Sequence, residues 1–564
     1  MENRNVSLLW PSEASKEKYM DEIRLSERCK TDLGVDKIVQ SLCIKQKYAD
    51  GIERLLLQLC DDTDVISYRL DILENFIGLP DMTGDLEDML PFIQKLESHN
   101  SVKHVSGEEP LRKIAWQLEI LSLYTECVLK LHAVLVQYKS RLSAEGLLRL
   151  LQYTEELTAS DHFQAMAAEL PEFRKKLQSM SSVTIGINLD NELKPTEAVF
   201  LSIEPKPFKE HKRSLVSSIL GLKSVDQSYQ GISLFHSILQ NGGSALESAL
   251  FKDLESLFQA AILPIGSALG KYIHVNIPAI TMLELEIGFF AGAAKFIRKL
   301  SELELPMCKP QAAPPSERTC QIDNMTDYIL SYSLYRKHQE INLGRSVVPN
   351  DIAFGPQGRV FILTGPNQGG KTTYTRAIGV AQILFQAGLY VPGTAARISP
   401  VDWIFTHFSE EEKPNVNNGR LGEESKRLSE IFAKATGSSL ILLNESLSST
   451  SPADSLYLAR DVVKGIKVIG CRAVFATHLL ELAAGVDSIN DEVPGDSRLV
   501  SMVAGIEGNN ADARRADAMT KRTYKITPGS PMGMSLGKDI AQLYGISFEQ
   551  IMDTLHKRSL TGDE

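Results

Sequence analysis

Apolar residues recur at spacings of three and four from about residue 13 to residue 180, with very few glycines, a period that predicts helices. The clearest segments are 38–59, 110–138 and 144–157. Their length, with few strand signals between them, predicts helices packed along one another as a bundle or as levers. Near Ser182 the period changes. Residues 183–189 and 198–203 are short, β-rich and separated by a turn-prone Asp190–Asn191 stretch, which predicts a small hairpin over 183–203. Helical patterning resumes over 214–303, notably at 243–263 and 280–300. Residues 305–318 are proline-rich and lack a period, which marks a linker. Beyond Asp323 short fully apolar runs, 360–363, 439–443 and 473–476, alternate with helical stretches, as in an α/β sheet covered on both faces. The predicted segmentation is a helical region over 1–304 with an inserted hairpin, a linker over 305–322, an α/β domain over 323–535 and a short helical tail over 536–564.

Composition changes this picture little. The 564 residues are 43% hydrophobic and 23% charged, enough for two to four domains, each with a core. The formal net charge of -11 excludes a surface coated in positive charge, so nucleic-acid contact requires a local basic surface or an enclosed channel. Lys206, Lys209, His211, Lys212 and Arg213 form one basic cluster, able to grip a phosphate backbone or to serve as an ordinary solvated loop. Seven scattered cysteines without a C-x-x-C pair suggest free thiols in a reducing compartment. The N-terminus lacks the apolar core of a secretory signal, and no run of about twenty apolar residues suggests a bilayer span. The expected location is cytoplasmic, with no membrane partner.

Candidate chemistry centres on Gly365, Pro366, Asn367, Gln368, Gly369, Gly370, Lys371, Thr372 and Thr373, which follow an apolar strand and precede a helical pattern. In a G-x-x-x-x-G-K-[ST] loop the glycines let backbone N–H groups converge on phosphates, the lysine reaches the terminal ones and the hydroxyl binds Mg²⁺. Two later strands end in candidate groups. One ends in Asn444 and Glu445, where such ATPases commonly carry Asp for the Mg²⁺ shell and Glu to polarise the attacking water. The other ends in Thr477 and His478, from which an imidazole could reach a γ-phosphate. Asn444 can orient a Mg²⁺-bound water but lacks a formal charge, so slow hydrolysis is expected.

These residues resemble the ATPase domain of the MutS DNA mismatch repair family. The matching pieces are Val348-Pro-Asn-Asp-Ile, Leu363-Thr-Gly-Pro-Asn-Gln-Gly-Gly-Lys-Thr, Tyr390-Val-Pro, Asp402-Trp-Ile-Phe-Thr, Asn444-Glu445 and Ala476-Thr-His. Ser535-Leu-Gly-Lys-Asp-Ile, near the end, resembles the lead into that family's last helices. Ile66-Ser-Tyr-Arg-Leu-Asp-Ile-Leu resembles the start of its lever domain. The resemblance implies an all-α lever and core region followed by an α/β P-loop ATPase domain of the ABC type, with a helical dimerisation tail.

By the same resemblance the chain binds ATP and Mg²⁺, holds the metal with Thr372 and Asn444, and uses Glu445 and His478 in hydrolysis. Tyr524 falls where the family places a ring against adenine, although a buried core tyrosine is an equal reading. The family completes each site in a dimer with a signature loop. Here that loop corresponds to 418–426, with Glu424 as its acid and Gly419 where the family has a serine. The lever-like helices begin almost at once, so the mismatch-reading and connector domains of full-length members are not expected. The implied role is a homodimeric, ATP-dependent DNA clamp acting in repair or recombination on double-stranded or branched DNA, alongside repair-pathway proteins. The alternative, motivated by Asn444 and Gly419, is a nucleotide-binding scaffold that recruits partners and scarcely turns over.

Overall fold

The computed structural model describes residues 6–20, 22–101, 110–180, 182–193, 195–207, 263–272, 274–337, 343–409, 420–507, 521–531 and 545–558. Contacts divide the chain into two compact units, one of Met1–Glu87, Leu142–Leu148 and Leu285–Glu564, the other of Asp88–Arg141 and Arg149–Glu284. The second unit ends at Glu284, and segments from both ends of the chain contribute to the first. Helical periodicity reports that one face of a helix is buried, not which element covers it.

In the second unit the helices Leu90–Asn100 and Asp161–Gln178 pack on Pro110–Tyr138. The predicted hairpin is present there as β1 (Ser182–Leu189) and β2 (Pro195–Glu204), antiparallel, with Val183 opposite Ile203.

The first unit is built on a sheet. Its strands are β3 (Met307–Cys308), β4 (Gln311–Ala312), β5 (Cys320–Met325), β6 (Asn350–Phe354), β7 (Val360–Thr364), β8 (Val391–Pro392), β9 (Ala395–Ile398), β10 (Ile404–Phe408), β11 (Leu440–Asn444), β12 (Arg472–Ala476), β13 (Leu499–Glu507) and β14 (Lys521–Pro528). The main sheet runs β10-β11-β12-β7-β13-β14, parallel up to the antiparallel edge strand β14. Every residue of β7, β11 and β12 is buried, as apolar strands require when helices cover both faces. Val360, Ile362, Ile441, Leu443, Ala473 and Phe475 face the helices Arg420–Lys434 and Pro452–Ile469.

On the other face the helix Lys371–Gln386 lies between the sheet and the N-terminal helix Glu27–Leu33. Gly379 permits that sandwich, because a Cβ there would lie 2.7 Å from Leu33 Cδ2 and 2.8 Å from Leu442 Cδ1. The far end of the same helix is fastened by Gln386, whose Nε2 donates to Cys60 O at 3.0 Å and Val401 O at 2.8 Å. The first helices are therefore part of the sheet's own cover.

Three further expectations change. Residues 305–322 are not a free linker: β3 pairs with β8, β4 with β9, and β5 with β9 and β6. Strands of two residues are too short to show a period, so the prolines dominated the pattern. The helix expected over 38–59 is divided into Val35–Leu42, a 3₁₀ turn at Gln46–Tyr48 and Ala49–Leu57. Finally, Ile277–Glu302 is long and apolar enough to cross a membrane, but 72% of its apolar window is buried, with Phe289, Phe290 and Ala294 in the protein core.

The same core holds Val6 to Trp10, all buried. Glu286 accepts from Ser7 Oγ at 2.5 Å and Leu8 N at 2.6 Å, while Tyr68 Oη donates to Ser7 O at 2.7 Å and Arg69 Nε to Leu9 O at 2.9 Å. Burial pushes the Glu286 carboxyl from 4.5 up to about 7.

Two outcomes follow for stability. Gly379→Ala should cost up to about 1–3 kcal/mol, read from the urea midpoint, because the ends of the fully buried Leu33 and Leu442 must shift to admit the methyl. Because the folded-state pKa of Glu286 lies above the unfolded value, its contribution is complete below about pH 4.5 and is lost as pH rises through about 7. Glu286→Gln should therefore flatten a decline of up to about 3 kcal/mol across that window, measured by denaturation at stepped pH.

Candidate phosphate-binding site at the edge of the sheet

β7 ends in the middle of the sheet and turns directly into the helix Lys371–Gln386. The turn requires glycine at position 365, where φ is +144° and a Cβ would lie 2.6 Å from that of Ala504 on β13. Gly370, at φ +91°, is the helix N-cap and supplies no side-chain acceptor, so the first-turn N–H groups have no side-chain cap. Uncapped N–H groups and the positive end of the helix dipole make an anion site.

Lys371 is 4% exposed. Its Nζ donates to Gly365 O at 3.0 Å and Pro366 O at 3.1 Å, which places the ammonium inside the curve of the loop. Burial holds its pKa below the usual lysine value, opposed by the charge of Glu445. Thr372 Oγ1 donates to Asn444 Oδ1 at 3.0 Å, so the start of the helix meets the end of β11. Glu445 follows in the left-handed region at φ +53°, its N–H donating to Ala476 O at 2.8 Å. A non-glycine residue held there costs on the order of 1–3 kcal/mol, and such strain gathers at functional sites. His478 Nε2 lies 3.0 Å from Glu445 Oε1, and this hydrogen bond holds the carboxyl below the usual glutamate range against the opposing effect of burial.

The loop opens on a cavity of about 480 Å³ whose walls include Met325, Leu330, Val348, Asn350 and Tyr524. Tyr524 is 44% exposed beside Gly370, which corrects the reading of it as a core tyrosine. Lys371, Thr372, Asn444, Glu445, His478 and Tyr524, scattered over more than 150 positions in sequence, are thus brought to one edge of the sheet. Glu424 is buried on the helix Arg420–Lys434 and accepts from Ser449 Oγ at 3.1 Å. Lys206 belongs to the other unit, exposed at the base of the hairpin, its carbonyl accepting from Ser182 Oγ at 2.7 Å. Lys209, Lys212, Arg213 and Gly419 lie outside the described residues.

The residues fit a magnesium ion. Thr372 and Asn444 offer two oxygens 3.0 Å apart, close to the ~2.9 Å separation of adjacent ligands around a six-coordinate ion with bonds of 2.0–2.1 Å. Both are neutral, so the nearest carboxylate to an ion held there would be that of the adjacent Glu445.

Two site residues escaped the sequence reading. Asp327 accepts from Ile329 N at 2.8 Å and Leu330 N at 3.1 Å, capping the helix Tyr328–Lys337, and its Oδ2 takes Arg376 Nε at 3.0 Å and Nη2 at 2.5 Å. Thr326-Asp327 ahead of an apolar run is a start signal that could have found the cap. Nothing local could have shown its pairing with Arg376, on the helix that begins at the phosphate loop. The other missed residue is Asn350, described below.

A mostly parallel sheet with a glycine-rich strand-to-helix turn at its C-terminal edge, together with long helices, defines a mixed helical and α/β protein. Comparison with known proteins is consistent with this. Residues 361–555 match MutS domain V, and residues 61–303 match the MutS2 N-terminal domain. The chain is 38% identical over 145 residues to the DNA mismatch repair protein MutS 2 of Halobacterium salinarum, covering 26% of this chain and 17% of that protein. It is 30% identical over 205 residues to the DNA mismatch repair protein MutS of Caldanaerobacter subterraneus subsp. tengcongensis, covering 36% and 22%. Similarity to the DNA mismatch repair protein MSH2 of Saccharomyces cerevisiae is 28% over 284 residues, covering 50% and 28%. The chain therefore belongs to the MutS family, and it spans less than a third of the length of each of these relatives.

Asp327→Ala should remove the helix cap and leave Arg376 unpaired, costing about 2–3 kcal/mol in chemical denaturation after allowance for the partial exposure of Arg376.

Proposed function

We propose that this chain is a MutS-like protein that binds ATP with Mg²⁺ at the loop from Gly365 to Thr373 and couples nucleotide state to its grip on DNA in repair or recombination. The observation carrying this reading is the convergence of Lys371, Thr372, Asn444, Glu445 and His478 at one sheet edge. Lys371 exchanges its two loop carbonyls for phosphate oxygens. Thr372 and Asn444 hold Mg²⁺, which neutralises charge on the phosphates when bound. Glu445 polarises the attacking water and His478 holds its carboxylate in place. Tyr524 offers a ring to the base.

Asn444 favours a second reading. An amide supplies no formal charge where a carboxylate would add a charge-assisted hydrogen bond worth roughly 1.5–3 kcal/mol. On that reading the chain is a dimeric scaffold that binds nucleotide, recruits repair proteins and turns over little. Dimerisation is supported by the helix Phe548–Lys557, which has no buried residue and exposes Phe548. DNA contact through Lys206 and its neighbours belongs to the first reading, and it predicts binding that weakens steeply with salt. The seven thiols are all free, in keeping with a reducing, cytoplasmic setting.

Turnover by the purified protein decides between the readings. Lys371→Ala should abolish nucleotide binding, and Asn444→Asp should raise turnover at least tenfold if the amide attenuates the site. Equal rates in wild type and Asn444→Asp would remove the argument for a weakened engine. Absence of binding to duplex, branched or single-stranded DNA at low salt, with and without ATP, would remove the DNA role.

A further inference from the structure

β13 and β14 do not pair evenly. Ala504 lies opposite Ile526 and Ile506 opposite Arg522, so Thr523, Tyr524 and Lys525 all face the single residue Gly505. The extra residues form a bulge, and its crest is Tyr524 at φ +56°. A bulky residue in the left-handed region is an outlier that the surroundings must hold in place. Thr523 Oγ1 secures one side by donating to Gly505 O at 2.9 Å.

Asn350, at the start of β6, secures the other side. Its Nδ2 donates to Tyr524 O at 3.0 Å, and its Oδ1 accepts from Ile526 N at 2.7 Å. The two ends of one amide thus grip the backbone on either side of Lys525, fixing the carbonyl of Tyr524 where the bulge interrupts the ladder. Lys525 Nζ adds a hydrogen bond to Pro349 O on the same turn. Held this way, the ring comes within 3.6 Å of the position a Cβ would take on Gly370, at the wall of the phosphate-loop cavity.

We propose that Asn350 is a positioning residue: it fixes the strained crest of the β14 bulge so that Tyr524 forms a stacking platform for the base of a purine nucleoside triphosphate. The inference rests on the nucleotide reading above and deepens it, because it separates holding the base from holding the phosphates. The phosphate cradle is formed by Gly365 to Thr373 and does not depend on the bulge. Stacking on an aromatic face contributes on the order of 1–3 kcal/mol per base, which corresponds to roughly five- to a hundred-and-fifty-fold in affinity.

The test measures Mg²⁺-dependent binding of ATP and of inorganic tripolyphosphate, by calorimetry, to the full chain and its variants. Asn350→Ala should weaken ATP about tenfold while tripolyphosphate stays within twofold. Tyr524→Phe, which keeps the ring, should bind ATP like wild type, and Tyr524→Ala should lose affinity as Asn350→Ala does. In the Tyr524→Ala background, Asn350→Ala should have no further effect on ATP. Equal weakening of ATP and tripolyphosphate by Asn350→Ala would show a general loss of structure and overturn the proposal, as would unchanged ATP affinity. Additive losses in the double variant would also overturn it. Failure of the wild type to bind either ligand would overturn the nucleotide reading itself, a result distinct from these.

Discussion

The site depends on one backbone constraint: the chain must leave a fully buried strand and start a helix within a few residues. Gly365 makes this possible, since at φ +144° and against Ala504 no side chain is tolerated. Once the turn is made, Lys371 is carried inside the loop and Thr372 is brought to Asn444 on a neighbouring strand. An anion cradle thus arises from the order strand, glycine turn, helix, and not from a concentration of basic side chains. The formal net charge of -11 is no obstacle to it.

The helix that starts at this turn is also the structural axis of its unit. Its flank lies between β11 and the N-terminal helix Glu27–Leu33, and its last turn is fastened to Cys60 and Val401 through Gln386. Its second turn carries Arg376, which pairs with the buried Asp327. Cys60 lies three residues before the helix Thr63–Gly78.

The chemistry around the loop is uneven. The part proposed to hold phosphates is built from backbone, glycine and the buried Lys371. The part that would act on them combines an uncharged Asn444 with a strained Glu445 braced by His478. Strain at Glu445 gives a carboxylate a fixed direction, whereas the amide at 444 withholds charge from the same edge.

The linear pattern was sufficient for whatever depends on neighbours in the chain. The apolar runs at β7, β11 and β12, the hairpin near 183–203, the glycine loop and the residues at the strand ends all declare themselves through period, turn chemistry and spacing. The two-residue strands β3 and β4 and the break after Leu42 did not, because elements so short carry no period. The membership of the first helices in the sheet's unit, the Asp327–Arg376 pair and the Asn350 grip on the Tyr524 carbonyl were decided only by tertiary structure. Each joins residues dozens to hundreds of positions apart, and a polar side chain's partner is set by where the fold ends up placing it. The sequence by itself determined that Gly365 to Thr373 is a glycine-rich turn between a buried strand and a helix. Which groups stand around that loop, and how firmly, was settled by the packing of six strands and the helices on their two faces.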